Sequence, residues 1–243
     1  MTESILSRAA TNAAPAPQHA SGRGVFFTLE GPEGAGKTTQ TRLLAEYLRT
    51  NGRTVVCVRE PGGTPIGEQI RALLLDPRRG EMGPIAEMLL FAASRAQLVV
   101  QVIAPALRAG QDVVCDRYVD ASLAYQGVGR GIGVEVVRTI NAVATAGVYP
   151  DLTFLLDIDV ATGLERARAE TAVWTAGDRM EQEVLAFHQR VREGFLSLAQ
   201  KEPQRIQVID ARGPVHAVQR AIQATVAQTL RGRGEGLGGE GSR

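Results

Sequence analysis

The sequence predicts one α/β domain, a mainly parallel five-stranded sheet flanked by helices, three layers in all. Five short apolar runs, at 25–30, 54–60, 112–117, 152–158 and 205–210, are nearly continuous rather than alternating. Strands covered by helices on both faces read this way. Between the runs, apolar residues recur at helical spacing, so strand and helix alternate along the chain. A length of 243 residues suits one large domain of this class.

The elements follow in order. The first 23 residues are rich in Ala, Pro and Ser, lack a continuous apolar segment, and read as a disordered leader. VFFTLE (25–30) is the first strand. Residues 37–50 then place Leu43, Leu44, Tyr47 and Leu48 on one helical stripe. TVVCVRE (54–60) is the second strand, followed by two glycines, Thr64 and a helix carrying Arg71. Residues 85–108 form a long helix, apolar nearly all round and open to a bend at Pro105. Such a helix is either central or part of a subunit contact. DVVCDR (112–117) and LTFLLDI (152–158) are the third and fourth strands. Residues 165–183 have a non-periodic middle and read as a mobile segment, a lid at about 166–179, flanked by helices. Residues 181–199 put Val184, Phe187, Val191, Phe195 and Leu198 at helical spacing. RIQVID (205–210) is the last strand, and an amphipathic helix at 215–230 closes the fold. The Gly-rich end, 231–243, reads as disordered, so the domain is expected to span 24–230.

Composition narrows the function classes. Formal net charge is +1, so no global cationic field favours a nucleic-acid partner. The only cysteines, Cys57 and Cys115, each follow paired valines and read as buried strand residues. Neither spacing suggests a metal site or a disulfide, and a reducing cytoplasm fits. No run approaches the roughly 20 apolar residues needed to span a bilayer.

The strongest motif is Gly31, Pro32, Glu33, Gly34, Ala35, Gly36, Lys37, Thr38 and Thr39. It matches the phosphate-loop pattern G-x-x-x-x-G-K-[ST], fed by a strand and closed by a helix. The glycines let backbone N–H groups curl around phosphates, and the helix N-terminus adds a favourable dipole. In such a loop Lys37 reaches the β and γ phosphates and the Thr38 hydroxyl sits on Mg²⁺.

Other stretches leave two readings open. Asp116, at a strand's C-terminal end, could serve the metal or simply pair with Arg117. Phe91 and Arg95 share a helical face that could stack on and hydrogen-bond a nucleobase. Equally, Phe91 could be core and Arg95 could pair with an acid. Arg166, Arg168 and Arg179 could be lid arginines or a solvated charged helix end.

Taken together, LEGPEGAGKTTQ, REPGGTPIGEQIRALLL, LLFAASRAQL, CDRYVDASLAYQG, YPDLTFLLDI and DRMEQE resemble the bacterial type of the thymidylate kinase family. They occur in the family's order and cover nearly all of 25–211. The resemblance implies the phosphate-loop fold of nucleoside monophosphate kinases, phosphoryl transfer from ATP to dTMP with Mg²⁺, and a homodimer. It implies that residues 31–39 hold the ATP phosphates, with Asp210, Ala211 and Arg212 beside the adenine. Glu33 would contact the acceptor's 3′-hydroxyl. Phe91 would stack on thymine and Arg95 would bond its edge. Arg71 and Arg117 would hold the acceptor phosphate. Ser122, Tyr125 and Gln126 would line the acceptor pocket, with Tyr125 crowding the sugar 2′ position. Asp116 would serve the metal or the phosphate-binding arginine. In this family an arginine stands either in the phosphate loop or in the lid. Here the loop has none, which leaves Arg166 and Arg168, with Arg179 behind them, to supply it. Trp174 lies inside this longer lid. The competing readings are a kinase for another nucleotide and a phosphate-loop ATPase acting as a switch.

Overall fold

The computed structural model describes residues 22–171 and 178–234. Most of the leader, Trp174 and the end from residue 235 lie outside the described residues.

Five strands form one sheet: β1 (Phe26–Glu30), β2 (Val55–Arg59), β3 (Asp112–Asp116), β4 (Leu152–Asp157) and β5 (Ile206–Asp210). Their order is β2–β3–β1–β4–β5, and every pairing is parallel. β1 sits in the middle and is buried along its whole length, which is why its sequence is apolar up to Glu30 except for Thr28, whose hydroxyl is paired with that of Thr153. β2 is an edge strand whose burial alternates, and Cys57 is therefore exposed, contrary to the expectation of two buried cysteines. Cys115, on β3 beside β1, is buried as expected.

The helices are α1 (Lys37–Thr50), α2 (Pro65–Leu75), α3 (Pro84–Leu98), α4 (Ala104–Arg108), α5 (Val119–Ser122), α6 (Val134–Thr145), α7 (Val160–Thr171), α8 (Leu185–Lys201) and α9 (Val215–Gly232). Local chemistry sets several starts. Thr64 caps α2 by accepting from the Gly67 amide at 2.9 Å, and Pro65 opens its first turn. α3 also opens on a proline, Pro84. α3 runs into α4 through a π-helical turn, Val99–Ile103, where the Ala104 amide bonds the Val99 carbonyl. Pro105 has no N–H to give and its ring would crowd the preceding turn; the wider turn accommodates it in place of a break.

The continuous helix Pro84–Arg108 is long and apolar enough, by length and composition, to cross a bilayer. The expectation that no such segment exists overlooked that a helix tolerates an isolated Glu87 and Arg95 within an apolar average. Here it packs against α2 and α6.

Two further expectations need correction. The helix expected at 181–199 starts at Leu185, because Asp178 Oδ1 accepts the Met180 and Glu181 amides and holds 178–181 as a turn. Val184 is 68% exposed and does not join the apolar stripe. At the termini, Arg23 bonds Asp151 at 3.1 Å and Arg233 reaches the same carboxylate at 3.3 Å. The fold thus takes in residues on either side of 24–230.

The core lies on both faces of the sheet. On one, Leu44 and Leu48 of α1 and Ile222 and Val226 of α9 pack on Phe27, Leu29, Phe154 and Leu156. On the other, Phe187, Phe195 and Leu198 of α8 pack on Leu155, Ile206 and Tyr125. Each fully buried side chain of this size stabilises by about 1.5–3 kcal/mol. The result is a firm central β1 whose C-terminal end carries the phosphate loop.

Candidate active site

The C-terminal ends of β1, β2 and β3 open onto one cleft of roughly 430 Å³. Its floor is the phosphate loop. Gly34 takes φ 67°, and a Cβ there would lie 1.9 Å from the Gly163 carbonyl oxygen in the first turn of α7. Glycine is needed both for the left-handed backbone and for this contact. Gly36, at φ 85°, turns the chain into α1. Lys37 Nζ donates to the Pro32 carbonyl at 2.7 Å, so the loop closes around its own lysine. Burial, and then the nearby Arg117, lower the Lys37 pKa to about 8.

Asp116 is brought beside the loop by strand register, since Leu29 of β1 pairs with Asp116 of β3. Its Oδ2 accepts from the Thr38 hydroxyl at 2.6 Å. Two oxygen donors side by side at the phosphate loop fit a hard cation that takes its other ligands from water and phosphate, as Mg²⁺ does. Among the described residues no cluster of three or more His, Cys, Asp or Glu could hold a metal.

Arg117 follows in the left-handed region at φ 67°, uncommon for a residue with a side chain. Its Nη2 donates to Glu33 Oε1 at 2.7 Å and to the Tyr125 hydroxyl at 3.2 Å. Tyr125 also donates to Glu33 Oε1, at 2.7 Å. The guanidinium lies 5.0 Å from the Tyr125 ring centroid. Burial raises the Glu33 pKa, but Arg117, Lys37 and Tyr125 together outweigh it and hold the value at about 2. Glu33 is therefore a carboxylate throughout the neutral range.

The opposite wall carries Arg71, Phe91, Arg95, Ser122 and Gln126, all facing the cleft. Arg71 Nη1 donates to the Pro61 carbonyl at 2.9 Å. Arg95 is 1% exposed, lines the cleft and pairs with an acid, as one of the two readings left open by the sequence has it. Its Nε donates to Glu60 at 3.0 Å and its Nη2 to Ser122 Oγ at 2.8 Å; its Nη2 also bonds Glu60, and its Nη1 bonds Asn141. Burial opposes the Arg95 charge and Glu60 outweighs it, so the guanidinium stays charged. Gln126 donates to Glu87 at 2.8 Å. It and Tyr125 lie in a π-helical stretch, Leu123–Gly129, of the kind often found at functional sites.

The three lid arginines separate. Arg166 does not point to the phosphate loop; it donates to the Ala211 and Arg212 carbonyls at 2.9 and 3.0 Å. It ties α7 to the loop after β5, where Arg212 in turn chelates Asp210 at 2.7 and 2.9 Å. Arg179 is buried and donates to Glu87 at 2.6 Å and to the Leu74 carbonyl at 2.9 Å. Arg168, in the last turn of α7, is exposed and has no hydrogen-bond or ion-pair partner among the described residues.

Sequence reasoning missed Glu60, Asn141, Glu87 and Arg130. Glu87 is fully buried and also accepts two bonds from Arg130, at 2.9 and 3.1 Å. A lone acid in the apolar run PIAEMLLFAA was the available signal, because a buried charge requires a partner. Asn141, from a helix far along the chain, left no such signal.

With this geometry in view, three comparisons agree. The family model described as Thymidylate kinase matches residues 29–222. The thymidylate kinase of Deinococcus radiodurans is 52% identical over 206 residues, covering 85% of this chain and 98% of that protein. That of Desulfovibrio desulfuricans is 48% identical over 216 residues, covering 88% and 100%. The crystal structure of thymidylate kinase from Ehrlichia chaffeensis is similar at a TM-score of 0.66 and 35% identity, covering 84% of this chain and 98% of that one.

Proposed function

This chain belongs to the thymidylate kinase family and phosphorylates dTMP to dTDP, and we infer that ATP, with Mg²⁺, is its donor. One observation carries the division of labour. Glu33, a residue of the donor loop, is bonded to Arg117 and Tyr125 of the acceptor wall. Donor and acceptor groups thus meet in a single cleft, as in-line transfer requires.

The loop amides and Lys37 hold the β and γ phosphates of ATP. Thr38 and Asp116 hold Mg²⁺, which neutralises charge on the donor phosphates when bound. Arg117, with Arg71, holds the acceptor phosphate. Glu33 accepts a hydrogen bond from the sugar 3′-hydroxyl, and Tyr125 crowds the 2′ position. Phe91 and Arg95 take the thymine, with Ser122 and Gln126 beside it. Asp210, Ala211 and Arg212 flank the adenine, and Arg166 steadies that loop from α7. Arg168 is the arginine left to reach the transferring group. The acceptor is already a phosphate oxyanion, so no general base is needed.

The helix Pro84–Arg108 leaves Ile85, Leu89 and Val100 about half exposed or more, at 54%, 49% and 64%. A second copy of the chain covers this face in a homodimer, which Leu89→Asp should convert to monomers by light scattering. Two free thiols suit a reducing cytoplasm.

Assays of dTMP, UMP and AMP as acceptors test the reading. Preferred turnover of dTMP is expected, with little ATP hydrolysis in its absence. Better turnover of UMP or AMP, or ADP release that ignores the acceptor, would overturn it.

A further inference from the structure

Glu30 is the last residue of β1 and is 0% exposed, yet it is not among the groups lining the cleft. Its Oε1 accepts the Tyr118 amide at 2.7 Å, and its Oε2 has no hydrogen-bond partner. A strand-end carboxyl turned inward in this way calls for a reason, since burial disfavours it.

The reason lies in the backbone of Arg117. The Arg117 amide donates to the Leu29 carbonyl at 3.0 Å, and its carbonyl accepts the Cys115 thiol at 2.9 Å. The next amide, that of Tyr118, goes to Glu30. The two peptide units flanking the Arg117 Cα are thereby fixed, one by the main chain of β1 and the other by the Glu30 side chain. Between them Arg117 holds φ 67°, a conformation an L-residue keeps only when its surroundings impose it.

We infer that Glu30 is a positioning residue for the acceptor-phosphate site: by holding the Tyr118 amide it locks Arg117 in the left-handed conformation that sends its guanidinium across the cleft. This rests on Arg117 being the acceptor-phosphate ligand. The surroundings support a neutral acceptor group. Burial and Asp120 raise the Glu30 pKa to about 8, against the opposing effect of Arg117; Glu60 adds to the rise. Asp120 is itself held by Arg205 at 2.7 and 2.8 Å. An uncharged amide oxygen should therefore replace the carboxyl.

The test compares Glu30→Gln, Glu30→Leu and Arg117→Ala. Glu30→Gln keeps an oxygen for the Tyr118 amide and should stay within about threefold of the parent in KM for dTMP. Glu30→Leu keeps the volume without the acceptor and should raise that KM by about tenfold or more, with the Kd for ATP nearly unchanged. If Glu30→Leu does not fold, Glu30→Asp, which withdraws the carboxyl from the amide, serves in its place. A folded Glu30→Leu or Glu30→Asp with unchanged KM for dTMP overturns the inference. So does a Glu30→Gln as damaging as Glu30→Leu, since charge would then be the active property. If Arg117→Ala itself leaves KM for dTMP unchanged, the assignment of Arg117 fails instead. A side chain that only packed would lower Tm without separating the two ligands.

Discussion

Residues 31–39 build the proposed donor loop from consecutive backbone, whereas the proposed acceptor wall takes single side chains from α2, α3, the end of β3, α5 and the π-helical stretch after it. The loop works through glycine conformations, main-chain N–H groups and one lysine, so its chemistry is written in a short motif. The acceptor wall must instead hold long polar and charged side chains still. It does so with buried networks: Glu60 and Asn141 on Arg95, Glu87 on Gln126, and Glu33 on Arg117. The difference teaches where damage should fall. A change at Lys37, the donor loop's lysine, should stop transfer and spare the fold. A change in the acceptor wall should cost specificity and stability together.

The largest effect that would sharpen this contrast is Lys37→Ala. Transfer should drop by about a thousandfold or more, since positive charge at the phosphates is the main source of catalysis here. Tm should stay near the parent value, as measured by calorimetry; a large fall in Tm would erase the contrast. Next is Arg95→Met. It leaves the buried Glu60 carboxyl without its cation, which costs on the order of 3–5 kcal/mol in urea unfolding. It should also weaken dTMP more than ATP. A stable variant would show that the Glu60 network is not what steadies the acceptor wall.

The smallest effect is in acid. Glu33 is held at about 2, below its unfolded value of 4.5, so its contribution to stability is complete above pH 4.5. It is lost as pH falls from 4.5 towards 2, because the unfolded chain then binds the proton first. Glu33→Gln should flatten that part of the stability curve, read by urea midpoints at successive pH. An unchanged slope would remove Glu33 from the account of acid sensitivity.

The same contrast explains what could be read in advance. The five strands were legible because a parallel sheet needs unbroken apolar runs, and the loop because its geometry demands glycines at fixed spacing. Helix α1 was legible to its ends, since Gly36 turns the chain into it and Gly52 follows it. Cys57 was misjudged because its apolar run sits on an edge strand, and strand order is not a local property. The roles of Arg166 and Arg179 were not legible either. Their partners, Ala211, Arg212, Leu74 and Glu87, lie 45 or more residues away, and only the packed fold brings them together. The left-handed Arg117 carries no glycine to announce it.

The central claim is that one cleft holds two ligands by two sets of residues that meet at Glu33, the donor-loop residue bonded to Arg117 and Tyr125. Isothermal titration of dTMP and of a non-hydrolysable ATP analogue into Lys37→Ala and Arg117→Ala tests it most directly. The account predicts a crossed pattern: Lys37→Ala loses the ATP analogue and keeps dTMP, and Arg117→Ala loses dTMP and keeps the analogue. Both variants losing the same ligand, or each losing both alike, would contradict it.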